Sequence, residues 1–237
     1  MSTFLQLCAL LATRSGACGT APAAVTGQTG RQAKCVDWVM NAWTLIQNDS
    51  TDWSWMQAEV AATALTINDM SYSGSDLGIA TRFATFLGDR IVDGIAWRPW
   101  TIYDNSIGQS DETPLREIPY LQWRTSYDRG THTAMRPTVY AIAPDGTIRF
   151  GAKPDIAYRV RGEYRKTPQV LAANGDTPEL PDRFHDIIVW RAIMLIAGHD
   201  ESDPQYQQAA AKYLEMMLAL QKECLPPINF GGCEPFA

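Results

Sequence analysis

Histidine is scarce in this chain, three residues in 237, and its five cysteines (Cys8, Cys18, Cys35, Cys224, Cys233) include no close pair. A tetrahedral zinc site draws on two close Cys or His pairs, so the spacing predicts no metal and no cofactor. An odd cysteine count cannot close completely into disulfides within one chain, and five reduced thiols are expected. No apolar run approaches the roughly 20 residues that span a bilayer, which argues against any membrane association. The first 16 residues lack a positive leading segment, and Gln6 interrupts their apolar stretch, so no signal peptide is expected and the chain is read as made in a cytoplasm. Missing as well are a nucleophile elbow, a phosphate-cradling lysine loop, a dinucleotide glycine motif, a paired-histidine zinc helix and a calcium-loop ladder. The nearest approach to a catalytic set is His199-Asp200-Glu201 with Asp203, plus His185-Asp186. Its plain reading is a solvated turn whose acids favour the following helix N-terminus.

Positive charge is in deficit too. The net charge of −6 argues against wholesale wrapping of nucleic acid. One stretch departs from this balance: between 149 and 166, six basic residues stand against two acidic ones. Within it Ile156, Tyr158, Val160 and Tyr164 alternate with Arg159, Arg161, Glu163 and Arg165, which predicts a strand over 156–164 with one core face and one charged face. Arg159, Arg161 and Arg165 are the candidate face for DNA phosphates or an acidic partner, against the plainer reading of a solvated surface.

What the chain does have is periodicity. Phe4, Leu7, Cys8 and Leu11 step along one helical face, and Thr3 with Gln6 has the form of a capping box. A glycine- and proline-rich loop follows over 16–30. Thr29 and Gln32 repeat the capping-box form ahead of Val36, Val39, Trp43 and Ile46. From 57 to 68 and from 90 to 103 the composition predicts strands, residues 120–127 a short helix, and 138–143 with 147–150 a hairpin around Pro144-Asp145-Gly146. Beyond Pro181, residues 184–196 are apolar nearly all round, so this helix belongs in a bundle centre or a subunit interface. Asp203-Pro204 opens a last helix whose Tyr206, Ala210, Tyr213, Met217, Leu220 and Cys224 form a seam. Pro226-Pro227 ends it. The expected fold is α+β: a discontinuous antiparallel helical bundle (1–52 and 176–224), an inserted β-rich domain (53–175) and an extended C-terminal arm (225–237). Eight tryptophans are many for this length. They read either as core or as interface anchors, and Trp53, Trp55 and Trp190 are the candidate subunit-interface residues.

The order of several short segments resembles the adaptor proteins of tailed bacteriophages. Carrying the likeness are Gly19-Thr20-Ala21-Pro22, Val25-Thr26-Gly27-Gln28-Thr29-Gly30, Val36-Asp37-Trp38-Val39, Ala42-Trp43 with Ile46-Gln47, and Asp52-Trp53 with Trp55-Met56. It continues through Arg136-Pro137, Gly151-x-Lys153-Pro154-Asp155-x-x-Tyr158, Gly162-Glu163-Tyr164, Leu180-Pro181-x-x-Phe184-His185 and Leu225-Pro226. The resemblance implies a virion protein of the neck without an active site. It would be a homo-oligomeric ring of twelve subunits that binds the portal protein, joins it to a tail or nozzle protein and lines the channel for genomic DNA. Cys8, Cys18, Cys35 and Gly231-Gly232-Cys233 match none of these motifs. The arm's Leu225, Pro226, Ile228, Phe230 and Phe236 are apolar groups that a short tail cannot bury by itself, and they form the candidate portal-binding segment. A DNA-binding module and an enzyme with an unrecognised site are the alternatives from other classes.

Overall fold

In the computed structural model, which describes residues 1–16, 19–92, 95–200 and 203–226, the chain is α+β and divides into two compact units. One holds 1–55 and 168–226, the other 56–167.

The first unit is helical. Helix α1 (Phe4–Ser15) is closed by the expected capping box: Thr3 Oγ1 accepts from the Gln6 backbone N–H, and the Gln6 side chain accepts from the Thr3 N–H. Helix α2 (Gly30–Asn48) differs. Thr29 stands at its N-cap without a side-chain bond, and Gln32 instead donates to the Thr20 carbonyl at 3.3 Å. The loop over 19–29 thus draws away the side chain that would complete the box. Helix α4 (Asp186–His199), preceded by a 3-10 turn at Asp182–Phe184, packs against α1, α2 and α5 (Asp203–Cys224). Its all-round apolarity is used up at the centre of this unit, with Ile187, Ile188, Val189, Ala192, Ile193 and Ile196 buried. On α5 the buried seam is Ala209, Met217, Leu220 and Cys224, while Tyr206, expected in the seam, is exposed. Segment 168–176 runs with these helices. Gln47, wholly buried, accepts from the Gln169 N–H at 2.6 Å and donates to the Gln169 carbonyl at 3.1 Å, which satisfies an amide that burial alone would penalise.

The second unit stacks two sheets. In the larger, β11 (Arg159–Lys166) is central: it pairs antiparallel with β1 (Gln57–Ala64) on one side and with β3 (Phe83–Phe86) and β6 (Thr101–Tyr103) on the other, and β6 pairs β7 (Thr113–Pro114). The smaller runs β2 (Ser71–Tyr72), β10 (Ile148–Gly151), β9 (Val139–Ile142), β8 (Arg116–Glu117), with β8 parallel to β9. Period-two alternation on β9 explains the layering. Tyr140 joins Ile148, Phe150, Trp100, Ile102 and Val160 in the core, whereas Val139 and Ala141 face a second cluster with Ile118 and Trp123. Trp123 closes the short helix α3 (Tyr120–Trp123), which covers that outer face and continues as a π-turn to Asp128.

Three strand expectations shift. The strand from 57 ends at Ala64: the Leu65 N–H still reaches the Tyr158 carbonyl in register (2.8 Å), and the chain then turns, with the Asp69 N–H donating to the Thr66 carbonyl and Asn68 at positive φ. The 90–103 run is three strands, with β4 (Arg90–Val92) and β5 (Ile95–Trp97) pairing only with each other before β6. Strand β11 begins at Arg159 and not at Ile156, which is exposed after Pro154.

Candidate interaction surfaces

The charged face of β11 meets the acids of its neighbours. Arg161 lies between Glu59 on β1 (3.7 Å) and Glu112 ahead of β7 (3.9 Å), and Glu112 also accepts from Thr101 Oγ1 at 2.5 Å. Arg159 donates through Nε to Asn105 Oδ1 at 2.6 Å and through Nη1 to the Ala62 carbonyl at 3.1 Å. Glu163 faces Arg90 at 3.5 Å. Burial raises the Glu163 pKa above the usual carboxylate range, and Arg90 pulls it partly back. Arg165 is half-buried on the same strand. A groove of about 230 Å³ runs over this face, lined by Glu59, Trp97, Arg98, Glu112, Arg161 and Glu163. The local positive sum seen in the sequence is thus offset by Glu59 and Glu112, residues 102 and 49 positions away along the chain and beside Arg161 only once the sheet forms. Arg159 and Arg161 are thus tied within the sheet unit, and replacing them breaks internal contacts besides removing charge from this face.

The tryptophans part company. Trp53 is 0% exposed and donates its indole N–H to the Ile46 carbonyl at 3.0 Å, so it belongs to the interior of the helical unit and not to a subunit surface. Trp55 stacks on it with ring centroids 4.5 Å apart and is half-buried. Trp190 is half-buried beneath the Arg14 guanidinium at 5.2 Å, and Arg14 is held by Asp186 at 2.8 Å.

The arm is described only at its root. Leu225 is half-buried and Pro226 exposed, while Ile228, Phe230 and Phe236 lie outside the described residues. Cys8, Cys35 and Cys224 are buried thiols, none in a disulfide; burial raises the Cys224 pKa. Cys18 and Cys233 lie outside the described residues.

The histidine–acid fragment does not converge. His185 is buried before α4, its Nδ1 accepting from the Ser2 N–H at 3.0 Å and its Nε2 facing the Leu180 carbonyl at 3.1 Å. His199 ends the same helix and bonds Asp200, whose pKa is lowered by that contact and by Arg31. Fourteen residues of helix separate the two rings by about 21 Å. Among the described residues no three His, Cys, Asp or Glu side chains gather as a metal site, and no helix is long and apolar enough to cross a membrane.

One surface escaped the sequence reading. The β4–β5 hairpin exposes Ile91 (79%), Ile95 (71%) and Trp97 (46%). The Asp93-Gly94 pair between β-branched residues is a hairpin signal that could have found it, but periodicity cannot tell that both faces stay uncovered.

The described residues thus form an α+β protein with buried aromatics, a charged sheet face paired within itself and an apolar hairpin left exposed. The SU10 adaptor protein family model matches residues 2–223, and the chain belongs to that family. It is a structural adaptor protein of a bacteriophage and a component of the virion, and membership implies interaction with portal and tail components. No curated protein matches the chain.

Proposed function

We propose that this chain is one subunit of a head-to-tail adaptor ring, made in the bacterial cytoplasm and placed in the neck. There it binds the portal, joins it to the tail and lines the path of the DNA. The family match over 2–223 carries this reading. Ring subunits need complementary surfaces that a lone copy leaves uncovered, and the exposed Ile91, Ile95 and Trp97 supply one. Trp55 and Trp190, half-buried on the helical unit, are further contact residues. Twelve copies is the number the resemblance implies. Residues 225–237 are the portal-directed arm, and the β11 face, with Arg161 and Arg165 half-buried at its surface, is turned toward an acidic neighbour or DNA.

The test is portal attachment. A chain ending at Leu225 is expected to keep its helical content and melting temperature but to lose sedimentation with portal rings. Binding as tight as that of the full chain would remove the arm from the portal contact. Separately, Ile91→Ser with Ile95→Ser should leave the fold within about 0.5 kcal/mol, as surface changes do, while ring formation on the portal falls. Unchanged ring yield would exclude the hairpin.

A further inference from the structure

Thirteen Lys and Arg side chains belong to the sheet unit, and nine of them hold a partner within the chain. The other four, Arg116, Arg124, Arg129 and Lys153, have none among the described residues. These four are gathered on the outer side of the smaller sheet. Arg116 on β8 pairs with Val139 on β9, which pairs with Gly151 on β10, and Val139 faces the outer cluster of Ile118 and Trp123. Residues side by side on neighbouring strands share a face, so Arg116 stands on that face. Tyr127 lies over the same row, since a Cβ on Gly151 would come within 3.0 Å of its ring. Lys153 follows Gly151 by two positions, and its carbonyl accepts from the Met135 N–H at 2.8 Å.

The segment carrying the other two cations is stapled in place. Thr125 Oγ1 donates to the Leu121 carbonyl at 3.0 Å, and His132 Nε2 bonds the Arg129 carbonyl at 2.7 Å while its ring lies 6.2 Å from that of Tyr127. Arg124 and Arg129, both exposed, thus stand on a fixed turn on either side of Tyr127. Asp128 is the one acid of this turn, and the nearby Glu117 and Asp155 are tied to Asp89 and Tyr158. A second copy of the chain offers no match. Among the described acidic side chains only Asp37 and Asp128 lack a partner. Free cations spread along a turn and a sheet edge suit instead a regular line of phosphates, which Arg and Lys contact without reading bases.

We propose that Arg116, Arg124, Arg129 and Lys153 form a contact surface for the phosphate backbone of duplex DNA, distinct from the β11 face. The inference deepens the reading that the subunit lines the DNA path and rests on it for its setting, while the binding itself is a property of the free chain. Fluorescence anisotropy of a labelled duplex of about 20 base pairs with the full chain tests it. Four phosphate contacts predict a log–log salt slope of about −3.6, an affinity loss of about 300-fold between about 20 and about 100 mM salt. Arg124→Gln with Arg129→Gln, and Arg116→Gln with Lys153→Gln, should each halve the slope, and the four changes together should abolish binding at the lower salt. Arg124→Lys with Arg129→Lys should preserve it, which separates charge from packing. Arg159→Gln with Arg161→Gln should leave the slope in place, because those guanidinium groups are tied within the sheet. Absence of binding at low salt, a slope indifferent to the four changes or carried by Arg159 and Arg161, or loss of binding in the lysine pair each overturns the proposal. So does polyglutamate competing as well as DNA, which would assign the surface to an acidic protein. Portal attachment and ring yield are measured apart, so a chain that fails here but still assembles on the portal leaves the adaptor reading standing.

Discussion

Gly162 sits where β11 passes under the Trp100 indole, and a Cβ there would come within 2.4 Å of the ring. The ring cannot retreat: it is fully buried and its N–H is held by the Leu87 carbonyl at 2.9 Å. Gly162→Ala is therefore expected to cost about 1–3 kcal/mol, the usual range for overpacking, as a lowered melting temperature with unchanged secondary structure; full stability would mean that the indole shifts freely. A second residue makes stability depend on pH. Glu117 accepts from the Asp89 N–H at 2.6 Å while Asp89 accepts from the Glu117 N–H at 3.0 Å and from the Tyr140 hydroxyl at 2.8 Å. Burial, and secondarily the Asp89 charge, raises the Glu117 pKa above its ordinary value near 4.5. The folded state then holds this proton more tightly than the unfolded one, so the contribution is fully present below the ordinary value and is lost as pH rises through the raised one. Glu117→Gln should raise the melting temperature at pH 7 and lose that advantage below about pH 4, near the ordinary carboxylate value. Asp111 has the opposite sign. Its pKa is lowered by the Asp104 N–H and by Arg136, so what it contributes is lost as pH falls. Neither residue stood out in the sequence: Asp89 lies 28 positions from Glu117 and Arg136 25 from Asp111.

At the level of elements, the two capping-box sequences make a controlled pair. Thr3 makes its side-chain bond and Thr29 does not. Thr3→Ala should cost about 1 kcal/mol, whereas Thr29→Ala should cost clearly less, as measured by denaturant midpoints; equal losses would mean that the Thr29 hydroxyl caps α2 in solution. The same pair shows what a sequence can and cannot disclose. Spacing placed both helices, the 138–150 hairpin and the apolar α4, since each is a local pattern of period 3.6 or 2. It could not register the competing acceptor at Thr20, the Tyr158 carbonyl that takes the Leu65 N–H just past β1, or the carboxylates that neutralise Arg161. All three are non-local. Trp53 was ambiguous for a related reason: an indole at a helix exit suits a core or an interface equally, and only the Ile46 carbonyl decides it.

For the whole molecule, the sheet unit is an insertion whose first and last strands are partners, with Gln57 opposite Arg165. Replacing 57–166 by a short linker should leave a helical protein with a cooperative thermal transition, monitored by far-ultraviolet circular dichroism. A non-cooperative melt would show that the helices require the sheets. The family membership was legible at this scale through the order of many small turns and aromatics spread along the chain, although no single segment of them specifies it. The β1–β11 pairing bears also on the order of events as the chain folds. Left open, the insertion separates α2 from α4 by a span of more than 100 residues, whose ends must be found at random. Once zipped, it presents those ends as neighbours. Shortening the effective loop from about 110 residues to a few lowers the closure cost of the helical unit by about 3 kcal/mol. The sheet unit thus acts as a clasp: a subunit emerging from the ribosome can complete its β layers first, and the late-made α4 and α5 then reach partners already held within range.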